Sequence, residues 1–112
     1  MLVRMQTNSG GGGGLKSQFV THSMSAGSSY ETITLDFEPK AIVMWSDNNY
    51  SGFYTSDDNC PYDVFLSQGN NTQHYDLPRS TGGYYCELKN ISGKNVEVWQ
   101  YSAYTLNMIA YG

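Results

Sequence analysis

The chain has 112 residues and a formal net charge of −4, from 10 acidic and 6 basic side chains. That length holds one domain with a single core, and the absence of any Lys/Arg cluster removes the electrostatic footprint of a nucleic-acid partner. Charged residues make up 14% and aromatic residues another 14%, with Tyr at 10 positions in a background of Gly, Ser, Asn and Thr, which suits pleated, half-buried strands joined by tight turns.

Residues 1–14 read as a flexible, Gly-rich N-terminal arm. Leu2, Val3 and Met5 stand before the run Gly10 to Gly14, and glycine loses the most freedom on ordering. Apolar residues with no local core to join are candidate assembly residues, so the arm is either a plain linker or a segment that meets a partner subunit. No apolar h-region of a signal peptide opens the chain, and no run approaches the roughly 18–20 apolar residues of a membrane-spanning helix. The expectation is therefore a chain made in the cytosol, without membrane insertion.

The remainder, 15–112, reads as one β domain. Phe19 to Met24 is a first strand whose buried face the alternation leaves open. Glu31 to Asp47 is the centre of the pattern: Ile33, Leu35 and Phe37 alternate with Thr32, Thr34, Asp36 and Glu38, the period of two of a half-buried strand. After Pro39-Lys40, the continuously apolar Ala41 to Trp45 predicts a strand covered on both faces. Tyr50 to Thr55, Asp63 to Ser67, Thr72 to Leu77, Tyr84 to Ile91, Val96 to Tyr101 and Tyr104 to Tyr111 follow as strands. The turn signals between them include Gly69-Asn70-Asn71 and Ser92-Gly93-Lys94-Asn95. Nothing has helical spacing over two turns, and turns recur every eight to twelve residues. The fold class expected is all-β, a single antiparallel β-sandwich of jelly-roll-like kind, with the last strand paired inside a sheet.

No catalytic constellation stands out, and no enzyme activity, cofactor or metal is expected. His22 and His74 lie in no recognisable motif. Cys60 and Cys86 read as reduced thiols, and the sequons at Asn49, Asn70 and Asn90 are expected by chance in this composition. Asp47, Asp57, Asp58 and Asp63 could supply oxygen ligands to calcium, but their spacing matches no calcium loop and Asx residues are common turn formers. The one candidate ligand surface combines Trp45, Asp47, Asn49, Tyr50, Tyr54, Asp57, Asp58 and Tyr62. Rings supply stacking area there while amides and carboxylates read hydroxyls. The competing reading is that these rings fill the core and sheet faces.

Two segments carry a family resemblance. Ile33 to Trp45, with its strand, Phe-Glu-Pro-Lys and apolar strand, resembles small β domains of bacteriophage tail and fibre proteins. Val96 to Tyr101 and Tyr104 to Gly112, finishing Ile109-Ala-Tyr-Gly, are similar to the closing strands of those domains. The resemblance spans most of 30–112, residues 50–80 have no counterpart, and no functional residue carries over. It implies a virion component made in the bacterial host cytoplasm, a homo-oligomer expected to be a trimer, contacting other virion proteins and a host-cell glycan. The site would be in a tail, fibre, baseplate or capsid decoration, with roles in assembly and host attachment. The alternative is a carbohydrate-binding module using the aromatic and Asx surface.

Overall fold

A computed structural model describes residues 15–23, 29–46, 50–78, 86–100 and 105–112. The N-terminal arm with Leu2, Val3 and Met5, and the candidate surface residues Asp47 and Asn49, lie outside the described residues.

The described chain is all-β. Its strands are β1 (Ser17–Ser23), β2 (Ser29–Thr34), β3 (Ala41–Ser46), β4 (Tyr50–Thr55), β5 (Val64–Gln68), β6 (Asn71–Tyr75), β7 (Cys86–Ser92), β8 (Asn95–Gln100) and β9 (Thr105–Tyr111). They form two antiparallel sheets, a 6-stranded one in the order β1-β9-β3-β4-β5-β6 and a 3-stranded one in the order β2-β8-β7. β1 pairs with β9 while β2 pairs with β8. This nested pairing of the first strands with the last is the jelly-roll-like part of the sandwich.

Alternation explains the core. Ile33, Leu35 and Phe37 are buried as their spacing predicts, and so are Leu106, Met108 and Ala110 on β9. They meet Ile42, Met44, Tyr50, Val64 and Leu66 of the large sheet and Leu88, Val96 and Val98 of the small one in a single apolar cluster between the layers. β9 runs between β1 and β3, so the last strand is interior, as expected. On β1 the phase left open by the sequence resolves with Gln18, Val20 and His22 half-buried and Phe19, Thr21 and Ser23 exposed.

The two halves of the central stretch lie in different sheets. β2 belongs to the small sheet and β3 to the large one, and the chain between them is a strap. Leu35 N donates to Lys94 O at 2.8 Å, beside the β7–β8 turn, and Lys40 N donates to Tyr111 O at 2.7 Å, at the end of β9. The buried-exposed alternation continues along the strap through Leu35, Phe37 and Pro39 although the ladder stops at Thr34. Pro39, which has no N–H to give, sits where the chain leaves one sheet for the other.

Two-residue turns close two hairpins, and each uses a glycine in the left-handed region: Gly69 at φ 60 between β5 and β6, and Gly93 at φ 59 between β7 and β8. The Leu77–Pro78 peptide bond is cis. In β7 the register shifts between Leu88 and Asn90, so Lys89 is an inserted bulge residue. The bulge explains why Leu88 and Lys89 are both buried, the lysine with Nζ 5.9 Å from the Trp99 ring centroid.

Candidate functional site

Three strands cover one side of six, and among the described residues no other element covers the outer side of the large sheet. β3 shows it directly. Ile42, Met44 and Ser46 are buried toward the small sheet, whereas Val43 and Trp45 remain 38% and 37% exposed. The expectation that Ala41 to Trp45 is covered on both faces is therefore corrected. Among the described residues no layer lies above its apolar outer side chains.

The strand registers bring these outer residues into line. Phe19 stands opposite Ile109, Ile109 opposite Val43, Val43 opposite Phe53, Phe53 opposite Phe65, and Phe65 opposite His74. One outward side chain from each of the six strands thus makes a row straight across the sheet, apolar on five strands and closed by the His74 imidazole on β6. Phe19 is 62% and Phe53 41% exposed. The neighbouring row reads Thr21, Asn107, Trp45, Ser51, Ser67 and Thr72 in the same registers, hydroxyls and an amide with one indole among them. Thr21 Oγ1 donates to Asn107 Oδ1 at 3.1 Å, and the Ser67 and Thr72 hydroxyls are 2.9 Å apart.

Ring contacts tie the two rows together. Phe19 and Trp45 stack across β9 with centroids 6.2 Å apart, and Phe53 and Phe65 lie 6.4 Å apart. At the β6 end Tyr62 stacks on His74 at 3.7 Å and 11° and meets Phe65 edge-on at 6.3 Å. Cross-strand aromatic and β-branched pairs stabilise a sheet by roughly 0.2–1 kcal/mol each. The row therefore has a modest structural role, yet its area stays in water.

Among the described residues the strands of the large sheet carry no carboxylate, ammonium or guanidinium, and its His22 turns inward to Glu31 at 2.9 Å. None of β1, β3, β4, β5, β6 or β9 contains Asp, Glu, Lys or Arg. The charges of the described residues sit on the small sheet, as Glu31, Glu87, Lys89 and Glu97, or on the turns and connections. The edge strands β1 and β6 share this lack, although edge strands commonly carry charge to discourage pairing with another chain.

The sequence-derived candidate surface divides. Trp45 is on the open face, and Tyr62 joins it through His74. Tyr50 does not belong there: it is 1% exposed in the core, because it pairs with inward-facing Ser46 and shares that phase. Tyr54 has the same phase and is half-buried on the inner side. Burial pushes its phenol pKa up from 10.0, helped by the carboxylates of Asp63 and then Glu38. Asp57 and Asp58 are exposed in the β4–β5 connection. There Asp57 Oδ1 accepts from Asn59 N at 2.9 Å, an Asx turn. Asp63 Oδ2 accepts from Leu77 N at 2.8 Å. Among the described residues no three His, Cys, Asp or Glu side chains group as a metal site.

Phe19, Val43, Phe65, His74 and Ile109 are the members of the open face that composition and local clustering did not single out. The alternation left the phase of β1 open and the apolar run of β3 showed none, and the cross-strand register that lines these residues up depends on pairing between residues as far apart as 19 and 109. No family model matches the chain, and neither a curated protein nor a solved structure does.

Proposed function

We propose that the chain is a structural module of a bacteriophage virion, in a tail, fibre, baseplate or capsid decoration. It is made in the bacterial host cytoplasm and acts in assembly and in attachment to the host surface as a homo-oligomer. The resemblance of Ile33 to Trp45 and of the closing strands to phage tail and fibre domains supplies the virion context. The observation that carries the assembly role is the row from Phe19 to His74, apolar on five strands with an imidazole on the sixth and no Asp, Glu, Lys or Arg among its members. An exposed apolar patch of this extent marks an interaction surface, and its content, aromatic-rich with charge depleted, is that of the centre of a protein interface. Mass spectrometry of particles purified from the source bacterium tests the reading. The chain is expected in several copies per particle, and its absence from intact particles overturns the proposal.

A second reading is recognition of a glycan, favoured by one feature. The half-exposed Trp45 sits in the polar row with Asn107 and Ser51 directly opposite it on the two neighbouring strands. An indole flanked by an amide and a hydroxyl stacks on a sugar ring and reads its hydroxyls. A glycan array with the wild-type chain and Trp45→Ala distinguishes it: binding lost in the variant supports the reading, and no binding to any glycan removes it.

A further inference from the structure

We infer that the open face of the six-stranded sheet is the contact between copies of this chain, with the row through Val43, Phe53 and Phe65 at its centre. The inference rests on the reading of the chain as an assembly module and names the partner of that surface. Three observations select a second copy.

Charge is the first. The chain carries −4 overall, so most ways of bringing two copies together set like charges against each other. Packing the large-sheet faces together avoids this, because no strand of that sheet contains Asp, Glu, Lys or Arg, Glu97 lies on the outer side of the small sheet, and Glu31 turns inward to His22, 2.9 Å away between the layers. A symmetric contact must be complementary to itself, and a charge-free face meets that condition where a face of one sign does not.

Size is the second. Six strands about 4.8 Å apart, each advancing about 3.3 Å per residue, give a face of roughly 25 by 20 Å before the relief of the side chains is added. That is of the order of the ~800 Å² per partner of a standard interface. Sheets stack face to face about 10 Å apart with interdigitating side chains, and the alternation of rings with smaller residues along and beside the row provides that relief.

Chemistry is the third. Val43, Ile109, Phe53 and Phe65 have no hydrogen-bonding atoms in their side chains, so a hydroxyl-rich ligand laid along this row would leave water without replacement partners, at a cost in free energy. A second apolar face loses nothing by the same move and gains from the area removed from water. A sugar would instead use the adjoining polar row around Trp45.

The test uses the full chain. Light scattering on a sizing column, over a range of concentrations well above micromolar, is expected to give a dimer that dissociates on dilution, since a face packed on its own copy closes as a pair, and a trimer overturns the face-to-face contact. Val43→Lys and Phe53→Lys, both at exposed positions, should each give the monomer mass with an unchanged circular dichroism spectrum, while Glu97→Gln on the other sheet keeps the wild-type mass. A monomeric wild type overturns the inference, as does either lysine variant keeping the oligomer mass. If the lysine variants fail to fold, Trp45 emission in Trp99→Phe decides. A red shift on dilution supports burial of Trp45 between copies, and concentration-independent emission overturns it. Failure here leaves the virion reading to its particle test, whereas self-association of a chain absent from particles would sink that reading and keep this one.

Discussion

The ring of Phe37 closes over Gly112 so tightly that a Cβ on the glycine would come within 2.3 Å of Phe37 Cδ2 and 2.7 Å of Cε2. Phe37 is buried in the strap between the sheets, and Gly112 extends β9 by exchanging backbone hydrogen bonds with Lys16. Gly112→Ala must therefore displace a buried ring or break that exchange. A loss of about 1–3 kcal/mol is expected from overpacking. Urea denaturation measures it, and a loss near zero would mean the ring has somewhere else to go.

Phe37→Ala and Val43→Ala should behave differently although both lie in the central stretch. Phe37 is 8% exposed in the core, so its truncation leaves a cavity and should cost about 3 kcal/mol or more. Val43, 38% exposed on the open face, should cost below about 1 kcal/mol when the chain is dilute. Equal losses at both sites in denaturant melts would contradict the one-sided cover of β3.

Two glycines should resist substitution for different reasons. At Gly52 a Cβ would stand 3.1 Å from Met44 Cγ and 3.2 Å from Leu66 Cδ2 on the inner face. Gly52→Ala should cost about 1 kcal/mol and Gly52→Val distinctly more, since the space tightens with volume. At Gly93 nothing lies within 4 Å, but φ is +59. Gly93→Ala should cost about 1 kcal/mol, and Gly93→Asn should recover part of it because Asn tolerates that backbone. Thermal melts of the four variants separate crowding from backbone strain.

Tyr54 should make stability fall at alkaline pH. Burial, then Asp63 and Glu38, raise its phenol pKa above the unfolded value of 10.0. Between the two values the folded chain holds a proton that the unfolded chain has released, so the unfolded state is favoured as pH rises. The contribution is fully present below 10.0 and is lost as pH climbs through the folded pKa. Denaturation measured at about pH 9 and about pH 11 should show a smaller decline for Tyr54→Phe than for the wild type. Identical declines would remove Tyr54 as a cause.

Cys60 is a free, half-buried thiol. Cys60→Ser should leave the melting temperature nearly unchanged, and reductant should not move the wild-type melt. A drop of many degrees on reduction would reveal a disulfide that supports the fold.

Much of the architecture was legible in the sequence because burial follows a two-residue period. Ile33, Leu35 and Phe37, and likewise Leu106, Met108 and Ala110, announced their inward faces, and Gly69 and Gly93 marked their hairpins because a left-handed turn position favours glycine. The lack of charge on six strands was also written in the chain, and it acquired meaning only when β1, β3, β4, β5, β6 and β9 proved to be one sheet. Local pattern could not say that Ala41 to Trp45 has one uncovered face, because an apolar run looks the same beneath one layer or between two. Nor could it separate Trp45 from Tyr50, which sit close in sequence but on opposite sides of the large sheet. Those outcomes depend on register between distant strands and on how many strands each sheet holds. Among the described residues three strands cover six, so only the inner face is buried and the row from Phe19 to His74 stays on the outer one.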